Sequence, residues 1–223
     1  VISVSEALNE HKEEGVFYRT DHHWTSLGAY YAFQAAAQSL GIKTDERKQY
    51  KAHTVSNTFE GTLASKSGCH EVPDTITVYE PQKDDTQFYV TYDDTQEKSR
   101  SLFVEKCLKD KDQYTVFFGG NHPKITIRTT SESGRRLLIF KDSYANSFIQ
   151  FLTPYYEKII LVDPRYYYDN ASSIITGEEI TDVLFLYNLN TYLEDNSLAD
   201  TLDAAQPEQT EGGDTAATNT DQA

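Results

Sequence analysis

The sequence predicts an α/β fold built on a parallel β-sheet, and three observations indicate it. The chain has 223 residues, enough for one domain with a sizeable hydrophobic core. Residues 137–140 (LLIF) and 159–162 (IILV) are uninterrupted apolar runs, as expected of strands covered on both faces. The segment that begins at Ser143 has helical spacing, and residues 182–188 (DVLFLYN) look like a third strand. Strands joined by helices indicate a parallel sheet with right-handed crossovers.

The N-terminal region predicts a helix, a short strand and a second helix. Residues 3–15 (SVSEALNEHKEEG) have the pattern of a helix that ends at a glycine, and residues 16–19 (VFYR) favour a strand. Thr25 or Ser26 suits the N-cap of the next helix, and Gly41 suits the position after its end. Because the chain begins with a valine inside a predicted helix, we expect it to be N-terminally truncated.

The remaining segments complete a domain that we predict to cover 1–195. Residues 45–120 contain short runs rich in Thr, Val, Tyr and Phe between charged stretches, which indicates an insertion with short strands. Residues 124–130 (KITIRTT) alternate with period two, as a half-buried strand does. Residues 196–223 contain no aromatic and no basic residue, so we predict a disordered acidic tail.

The charge balance excludes several classes of function. The net charge is −15, and the tail contributes six of the carboxylates. A body of that sign repels phosphate backbones, so we expect no nucleic-acid partner. No stretch is apolar enough to cross a bilayer, and no signal-peptide pattern is present. The spacing of Cys69 and Cys107 fits no zinc motif; they are either two independent thiols or one disulfide.

Two groups of polar residues follow predicted strands. The first is the run Asp-His-His-Trp at 21–24, and the second is Lys141, Asp142 and Ser143. In open parallel sheets, chemistry gathers at the carboxyl ends of the strands. A serine between a strand and a helix is exposed, and the amides of the first helical turn point towards the oxygen of an attacked carbonyl.

Ser143, His23 and Asp21 together predict a catalytic triad. A serine hydroxyl needs a base, and a neutral imidazole held by a carboxylate supplies one. In an extended segment the side chains of Asp21 and His23 would lie on one side and that of His22 on the other. We interpret His22 as structural, and Trp24 as packing under the imidazole or lining a pocket. The alternative is an N-cap serine and an ordinary Asp–His hydrogen bond.

A metal site at 21–23 is a further alternative, and we do not favour it. Adjacent histidines in an extended segment point apart, and no third ligand stands out. We therefore expect neither a metal nor another cofactor.

Three segments, YRTDHHWTSLGAYYAF, KDSYANSFIQFLTPYY and DPRYYY, resemble the DHHW-motif family of Gram-positive bacteria. That family is similar to SGNH hydrolases, above all to the alginate O-acetyltransferase group. The resemblance implies a three-layer α/β/α, flavodoxin-like fold, with acid and base at Asp21 and His23 and the nucleophile at Ser143. The usual SGNH hydrolase has Asp and His three apart and after the serine. Here they precede it, two apart, which fits the acetyltransferase branch.

The same resemblance implies an oxyanion hole and substrate contacts. Gly120 and Asn121 in the segment FFGGNHP could supply donors, together with the amide of Ser143 or Tyr144, although this segment is also an ordinary turn. Arg165 and Tyr144 are candidates for orienting an acyl group or a sugar. Lys141 and Asp142 are assigned no role.

These features predict a serine acyl-transfer domain, either an O-acetyltransferase or an acetylesterase, that acts on a cell-surface or cell-wall polysaccharide. We expect an extracellular or cell-surface monomer, anchored to a membrane through a region outside this chain. The partners would be the polysaccharide, an acetylated donor and a membrane acyl-transfer protein. The alternatives are an inactive module of the same fold that binds glycan or partners in polysaccharide assembly, or a lipoprotein-like structural domain.

Overall fold

A computed structural model describes residues 1–43, 50–82 and 86–204. Its strands are β1 (Tyr50–Phe59), β2 (Asp74–Pro81), β3 (Phe88–Tyr92), β4 (Lys98–Ser99), β5 (Lys124–Thr129), β6 (Arg136–Lys141), β7 (Lys158–Val162) and β8 (Asp182–Leu186). Its α-helices are α1 (Ser5–Glu10), α2 (Ser26–Ala37), α3 (Thr62–Ser67), α4 (Ser172–Gly177), α5 (Leu189–Glu194) and α6 (Ser197–Asp203). Short 3-10 helices are Lys12–Glu14, Glu105–Lys109, Gln113–Val116, Ser143–Ser147, Ile149–Phe151 and Thr153–Tyr155. Within these described ranges, no helix has the length and apolar character needed to span a bilayer.

The central sheet is mixed, which corrects the prediction of a parallel sheet. Its strand order is β4-β3-β5-β7-β6-β8. Only β7, β6 and β8 are parallel to one another, whereas β3, β4 and β5 pair antiparallel. A tight turn joins β3 to β4, and a connection that short can only produce an antiparallel pair. The α/β class is confirmed, and the three-layer arrangement stays a prediction.

The predicted insertion at 45–120 is wrong in its extent. β1 and β2 do form a separate two-stranded antiparallel ribbon. However, β3 and β4 belong to the central sheet, and Val90 at the centre of β3 is fully buried there. Residues 45–49 lie outside the described residues.

β6 and β7 separate two hydrophobic clusters, which explains their uninterrupted apolar runs. Leu137, Ile139, Ile159 and Leu161 pack in the larger cluster with Phe33 of α2. The alternate residues Leu138, Phe140, Ile160 and Val162 pack in a second cluster with Ile174 of α4. Because side chains alternate along a strand, burial on both faces requires an apolar residue at every position.

Residues 16–19 form no regular strand, which corrects the prediction. A single antiparallel bridge joins Phe17 to Trp24, and the amide of Thr25 donates to the carbonyl of Val16 (2.9 Å). The chain thus closes a narrow loop immediately before α2. Thr25 caps that helix as predicted, since its hydroxyl accepts from the amide of Gly28 (3.1 Å). Residues 20–23 lie within this loop.

The segment after Ser143 is a succession of 3-10 helices and not the predicted α-helix. Its amides bond three residues back, as in Phe148 to Ala145 (2.8 Å) and Phe151 to Phe148 (3.1 Å). All residues at 145–154 are buried. An apolar spacing of three, as between Phe148 and Phe151, fits a 3-10 helix as well as an α-helix, so the pattern that predicted a helix could not identify its type.

The prediction of a disordered tail over residues 196–223 needs one correction. α6 occupies the first part of the predicted disordered tail, and its Leu198 and Leu202 pack against the second cluster. These two leucines supply the apolar contact that the tail's composition as a whole lacks. Residues 205–223 lie outside the described residues.

Cys69 is exposed, Cys107 is buried and both are free thiols, so the disulfide alternative is wrong.

Gly28→Ala tests the close contact between α2 and the loop. A Cβ at this position would lie 2.1 Å from the carbonyl oxygen of Val16, so the helix must move away from the loop. We expect a loss of about 1–3 kcal/mol in the free energy of unfolding, measured with denaturant. Gly177→Ala is the matched control, because nothing lies within 4 Å of its added Cβ. Equal stabilities of the two variants would contradict the contact.

Candidate active site

The ribbon of β1 and β2 anchors the loop that carries the Asp-His-His-Trp run. Asp74 of β2 accepts from the amide and the hydroxyl of Thr20 (2.7 and 2.6 Å). It also accepts from the amide of Arg19 (3.0 Å). Both Thr20 and Asp74 are buried, so these bonds are shielded from water. The ribbon therefore fixes the loop just before Asp21.

Asp21, His23 and Ser143 form a continuous hydrogen-bonded line. Oδ1 of Asp21 lies 2.5 Å from Nδ1 of His23, and Nε2 of His23 lies 2.7 Å from Oγ of Ser143. Asp21 and His23 are buried, whereas Ser143 is half-buried and thus reachable. The contact that the sequence predicted is present, between residues 120 positions apart. Their catalytic role stays a prediction.

A bend brings Asp21 to His23, where the sequence predicted an extended segment. Oδ1 of Asp21 also accepts from the amide of His23 (3.1 Å), as in an Asx turn. The bend also overturns the expectation that His22 points away. Its ring centroid lies only 3.9 Å from that of His23.

Thr62, the first residue of α3, binds the second oxygen of the Asp21 carboxylate, and Gly61 before it leaves room for that contact. Oδ2 accepts from the amide (2.9 Å) and the hydroxyl (3.0 Å) of Thr62. The hydroxyl proton is committed to Asp21, so Nδ1 of His22, 2.6 Å from the same hydroxyl, must be the donor there. A Cβ at Gly61 would lie 2.3 Å from Oδ2, so only glycine permits this approach.

The site keeps the carboxylate ionised and the imidazole neutral. Burial by itself raises the pKa of Asp21, but the neighbouring His22 imidazole, 3.6 Å from Oδ2, and the hydrogen bonds from His23 and Thr62 outweigh it and hold that pKa well below its usual range. Burial lowers the pKa of His23, and the bond to Asp21 opposes this only in part. A neutral imidazole oriented by a carboxylate is the form that accepts a proton from a hydroxyl.

The ring of Tyr114 packs against one face of the His23 imidazole. Its ring stacks on that of His23 with centroids 3.9 Å apart and an angle of 10°. Its hydroxyl donates to the carbonyl of Ser143 (3.1 Å) and contacts Oγ of Ser147 (3.2 Å). Tyr114 is buried, and it fixes the turn of Ser143 relative to the ring of His23. Tyr114 was not among the predicted site residues, because nothing in its neighbourhood along the chain connects it to His23.

Trp24 and Tyr144 join the loop to the serine turn. The indole nitrogen of Trp24 donates to the carbonyl of Tyr144 (2.9 Å) and to Oγ of Ser147 (3.1 Å). Trp24 is buried and packs against Tyr144 and Phe148, and a role in lining a substrate pocket stays a prediction. The hydroxyl of Tyr144 donates to the carbonyl of His22. These contacts show that Tyr144 holds the loop; a contact with an acyl group or a sugar stays a prediction.

Asp142 shapes the serine turn and removes one predicted oxyanion donor. Its Oδ1 accepts from the amide of Tyr144 (2.9 Å), so that amide is occupied. Its Oδ2 accepts from the amide and the side chain of Asn188 (2.9 and 2.6 Å), just beyond β8. Of the two predicted amides, that of Ser143 remains the candidate.

Asn121 lies beside the serine turn, whereas Arg165 is engaged elsewhere. Oδ1 of Asn121 accepts from Nζ of Lys141 (3.3 Å) and from Nδ2 of Asn146 (3.2 Å). The guanidinium of Arg165 binds both oxygens of Asp163 (2.8 and 2.6 Å). Its predicted contact with an acyl group or a sugar stays a prediction.

Gly120 allows the turn before Asn121, because its φ of 113° lies in the region that favours glycine. A donor role for its amide in an oxyanion hole stays a prediction.

The geometry of the three residues at 21–23 suits a triad better than a metal ion. One ligand atom of each residue lies within 4.8 Å of the others. However, each oxygen of Asp21 already accepts two hydrogen bonds from the protein. A carboxylate has about four acceptor positions, so a metal ion would have to displace these donors.

An α/β sheet that presents a Ser–His–Asp line at the carboxyl end of a strand defines a broad class of proteins that includes many hydrolases and acyltransferases. The sequence model described as "DHHW protein" matches residues 2–162, and the chain therefore belongs to the DHHW family.

Solved structures share the fold. A DHHW family protein from Eubacterium siraeum is 33% identical, with a TM-score of 0.77 over 88% of this chain and 66% of its own. Bacillus cereus PatB1 carrying a sulfonyl adduct is 20% identical, with a TM-score of 0.69 over 85% of this chain and 67% of its own. PatB1 without the adduct gives 18% identity and a TM-score of 0.66 over 84% of this chain and 68% of its own. The chain thus spans about two thirds of each. Comparison with curated proteins gave no match.

Gly61→Ala tests whether close backbone approach positions the Asp21 carboxylate. The added methyl group would overlap Oδ2, so we expect Asp21 to withdraw from His23. The readout is the low-field proton NMR signal of a short Nδ1–H bond, which should be lost or shift to higher field. Gly177→Ala should leave the signal unchanged. An unaltered signal in Gly61→Ala would refute the argument.

The titration of His23 tests the electrostatics. Because its pKa is lowered, the ring should stay neutral as the pH falls and take up a proton only below about pH 6.5. Asp21→Asn removes the negative charge that opposes this shift, so the midpoint should fall further. NMR titration of the ring, assigned with His23→Gln, measures both. A midpoint above 6.5, or one that rises in Asp21→Asn, would contradict this account.

Proposed function

We propose that this chain is a serine-dependent acyl-transfer domain, an O-acetyltransferase or acetylesterase that acts on a cell-surface or cell-wall polysaccharide outside the cell. The hydrogen-bonded line from Ser143 through His23 to Asp21 is the observation that carries the proposal. The likeness of the fold to PatB1 supports an SGNH-like domain of this kind.

The first half-reaction loads the serine. Nε2 of His23 takes the proton of the Ser143 hydroxyl while Oγ attacks the carbonyl carbon of an acetyl donor. Asp21 stabilises the imidazolium that forms, and the Ser143 amide faces the developing oxyanion. When the tetrahedral intermediate collapses, the bond to the leaving alcohol breaks. His23 returns its proton to that alcohol, and an acetyl-serine remains.

The second half-reaction reverses these roles with a new alcohol. His23 removes a proton from an acceptor hydroxyl, whose oxygen attacks the acetyl-serine carbonyl. Oγ of Ser143 leaves and regains the proton from His23. A sugar hydroxyl as acceptor gives transfer, and water gives hydrolysis, so the same site serves both reactions.

Exposed aromatic side chains support a carbohydrate as substrate. Tyr166 and Tyr168 follow β7, and both are exposed, Tyr168 to 90%. The carboxyl end of β7 lies beside that of β6, which carries Ser143, because the two strands are parallel neighbours. Aromatic rings with one apolar face and a polar hydroxyl suit contacts with a sugar ring. An extracellular location and a membrane acyl-transfer partner are parts of the same proposal.

Ser143→Ala tests the nucleophile. We expect acetyl release from a chromogenic acetate ester to fall by about 10³-fold or more, because the triad acts as one unit. His23→Ala should cause a similar loss. A sulfonyl fluoride should label Ser143 in the unmodified chain, detected by peptide mass spectrometry, since PatB1 is described with a sulfonyl adduct. Ser173→Ala, on the exposed face of α4, is the matched control.

Equal rates in Ser143→Ala and the unmodified chain would exclude the serine mechanism. Glycan binding without turnover, unaffected by Ser143→Ala, would instead support the inactive binding module.

A further inference from the structure

We propose that Lys141 is a positioning residue that fixes the side-chain amide of Asn121 with its nitrogen available to the carbonyl oxygen of a bound ester. This inference rests on the proposed acyl-transfer function and assigns a role to a buried cation that the triad does not use.

Lys141 is an unusual residue for its location. It is the last residue of β6, two positions before Ser143, and its side chain is fully buried. Burial of a cation is costly unless the cation is paired and hydrogen-bonded. Its ammonium lies 3.6 Å from Oδ2 of Asp163, a carboxylate that also binds Arg165 through both oxygens. Asp163 therefore has a partner of its own in Arg165. The ammonium of Lys141 makes a second contact, with the side chain of Asn121.

That second contact determines how the amide of Asn121 is oriented. An ammonium carries only donors, so the Asn121 atom that lies 3.3 Å from Nζ must be the carbonyl oxygen. The same oxygen accepts from Nδ2 of Asn146 (3.2 Å). Two donors on Oδ1 leave Nδ2 of Asn121, with its two protons, at the other end of the amide. Asn121 is exposed, so this nitrogen is within reach of a ligand.

The two residues that donate to Asn121 lie on either side of Ser143 along the chain. Lys141 precedes Ser143 by two positions, and Asn146 follows it by three. The Tyr144 amide is occupied by Asp142, so the serine turn offers only one of its two predicted amides to an oxyanion. Effective stabilisation of a tetrahedral intermediate uses more than one preorganised donor, and Asn121 can supply the second.

The charge of Lys141 also strengthens the donor. An ammonium at the carbonyl oxygen of an amide withdraws electron density from its nitrogen, and a buried site screens this effect little. Lys141 would thus polarise Asn121 as well as orient it. It acts only through Asn121 and contacts no substrate.

The experiment is a double-mutant cycle with the chromogenic acetate ester. Asn121→Ala should lower kcat by roughly 10²-fold, as expected for one oxyanion donor, with little change in KM. Lys141→Met, which keeps the length of the side chain, should lower kcat by roughly 10-fold or more, again with KM little changed. If Lys141 acts through Asn121, the double variant should be no slower than Asn121→Ala alone.

Lys158→Met is the matched control. Lys158 is also buried and ion-paired, with Glu178, but it begins β7 and so lies at the opposite end of the parallel strands from Ser143. We expect it to lose stability without a change in kcat. Far-UV circular dichroism and thermal unfolding test whether each variant is folded, and Lys141→Gln takes the place of Lys141→Met if the latter is not.

Three outcomes would overturn the inference. They are an unchanged kcat in Lys141→Met, a loss that multiplies with that of Asn121→Ala, or an equal loss of kcat in Lys158→Met. Failure of the proposed function is distinguishable, because Ser143→Ala would then keep the full rate of the unmodified chain.

Discussion

The buried carboxylate of Asp21 is the constraint on which the site depends. A buried carboxylate is tolerated only when hydrogen-bond donors occupy its acceptor positions. Here His23 supplies two donors from the same loop, and Thr62 supplies two from the start of α3, 41 positions away. Because both segments donate to the same carboxylate, the hydrogen bonds of Asp21 join its own loop to the start of α3. The approach is so close that the residue before Thr62 has to be Gly61.

The carboxyl ends of three parallel strands provide the other side of the site. β6 delivers Lys141, Asp142 and Ser143, while Asp163 follows β7 and Asn188 follows β8. The charges at this edge are paired across strands, so that each buried ion has a partner of opposite sign or an amide. A fully paired network of this kind resists reorganisation.

Local patterns predicted much of this, and long-range contacts account for most of what was missed. The apolar runs of β6 and β7 identified buried strands, and a serine between strand and helix identified the candidate nucleophile. The mixed sheet was missed because period-two and apolar patterns do not reveal strand direction. Thr62, Gly61 and Tyr114 were missed because their partners lie far along the chain. The 3-10 helices after Ser143 were predicted as an α-helix because an apolar spacing of three fits both helix types.

The 120-residue separation between Ser143 and His23 has a consequence for assembly. Bringing together residues so remote in sequence costs loop-closure entropy, which the surrounding contacts have to offset. The loop of His23 is held by Asp74 of the β1–β2 ribbon, which is not part of the central sheet. Detachment of that ribbon alone would release the loop that holds His23 against Ser143 while the six strands stay paired. Loss of the Ser143–His23 contact and global unfolding would then follow different transition curves.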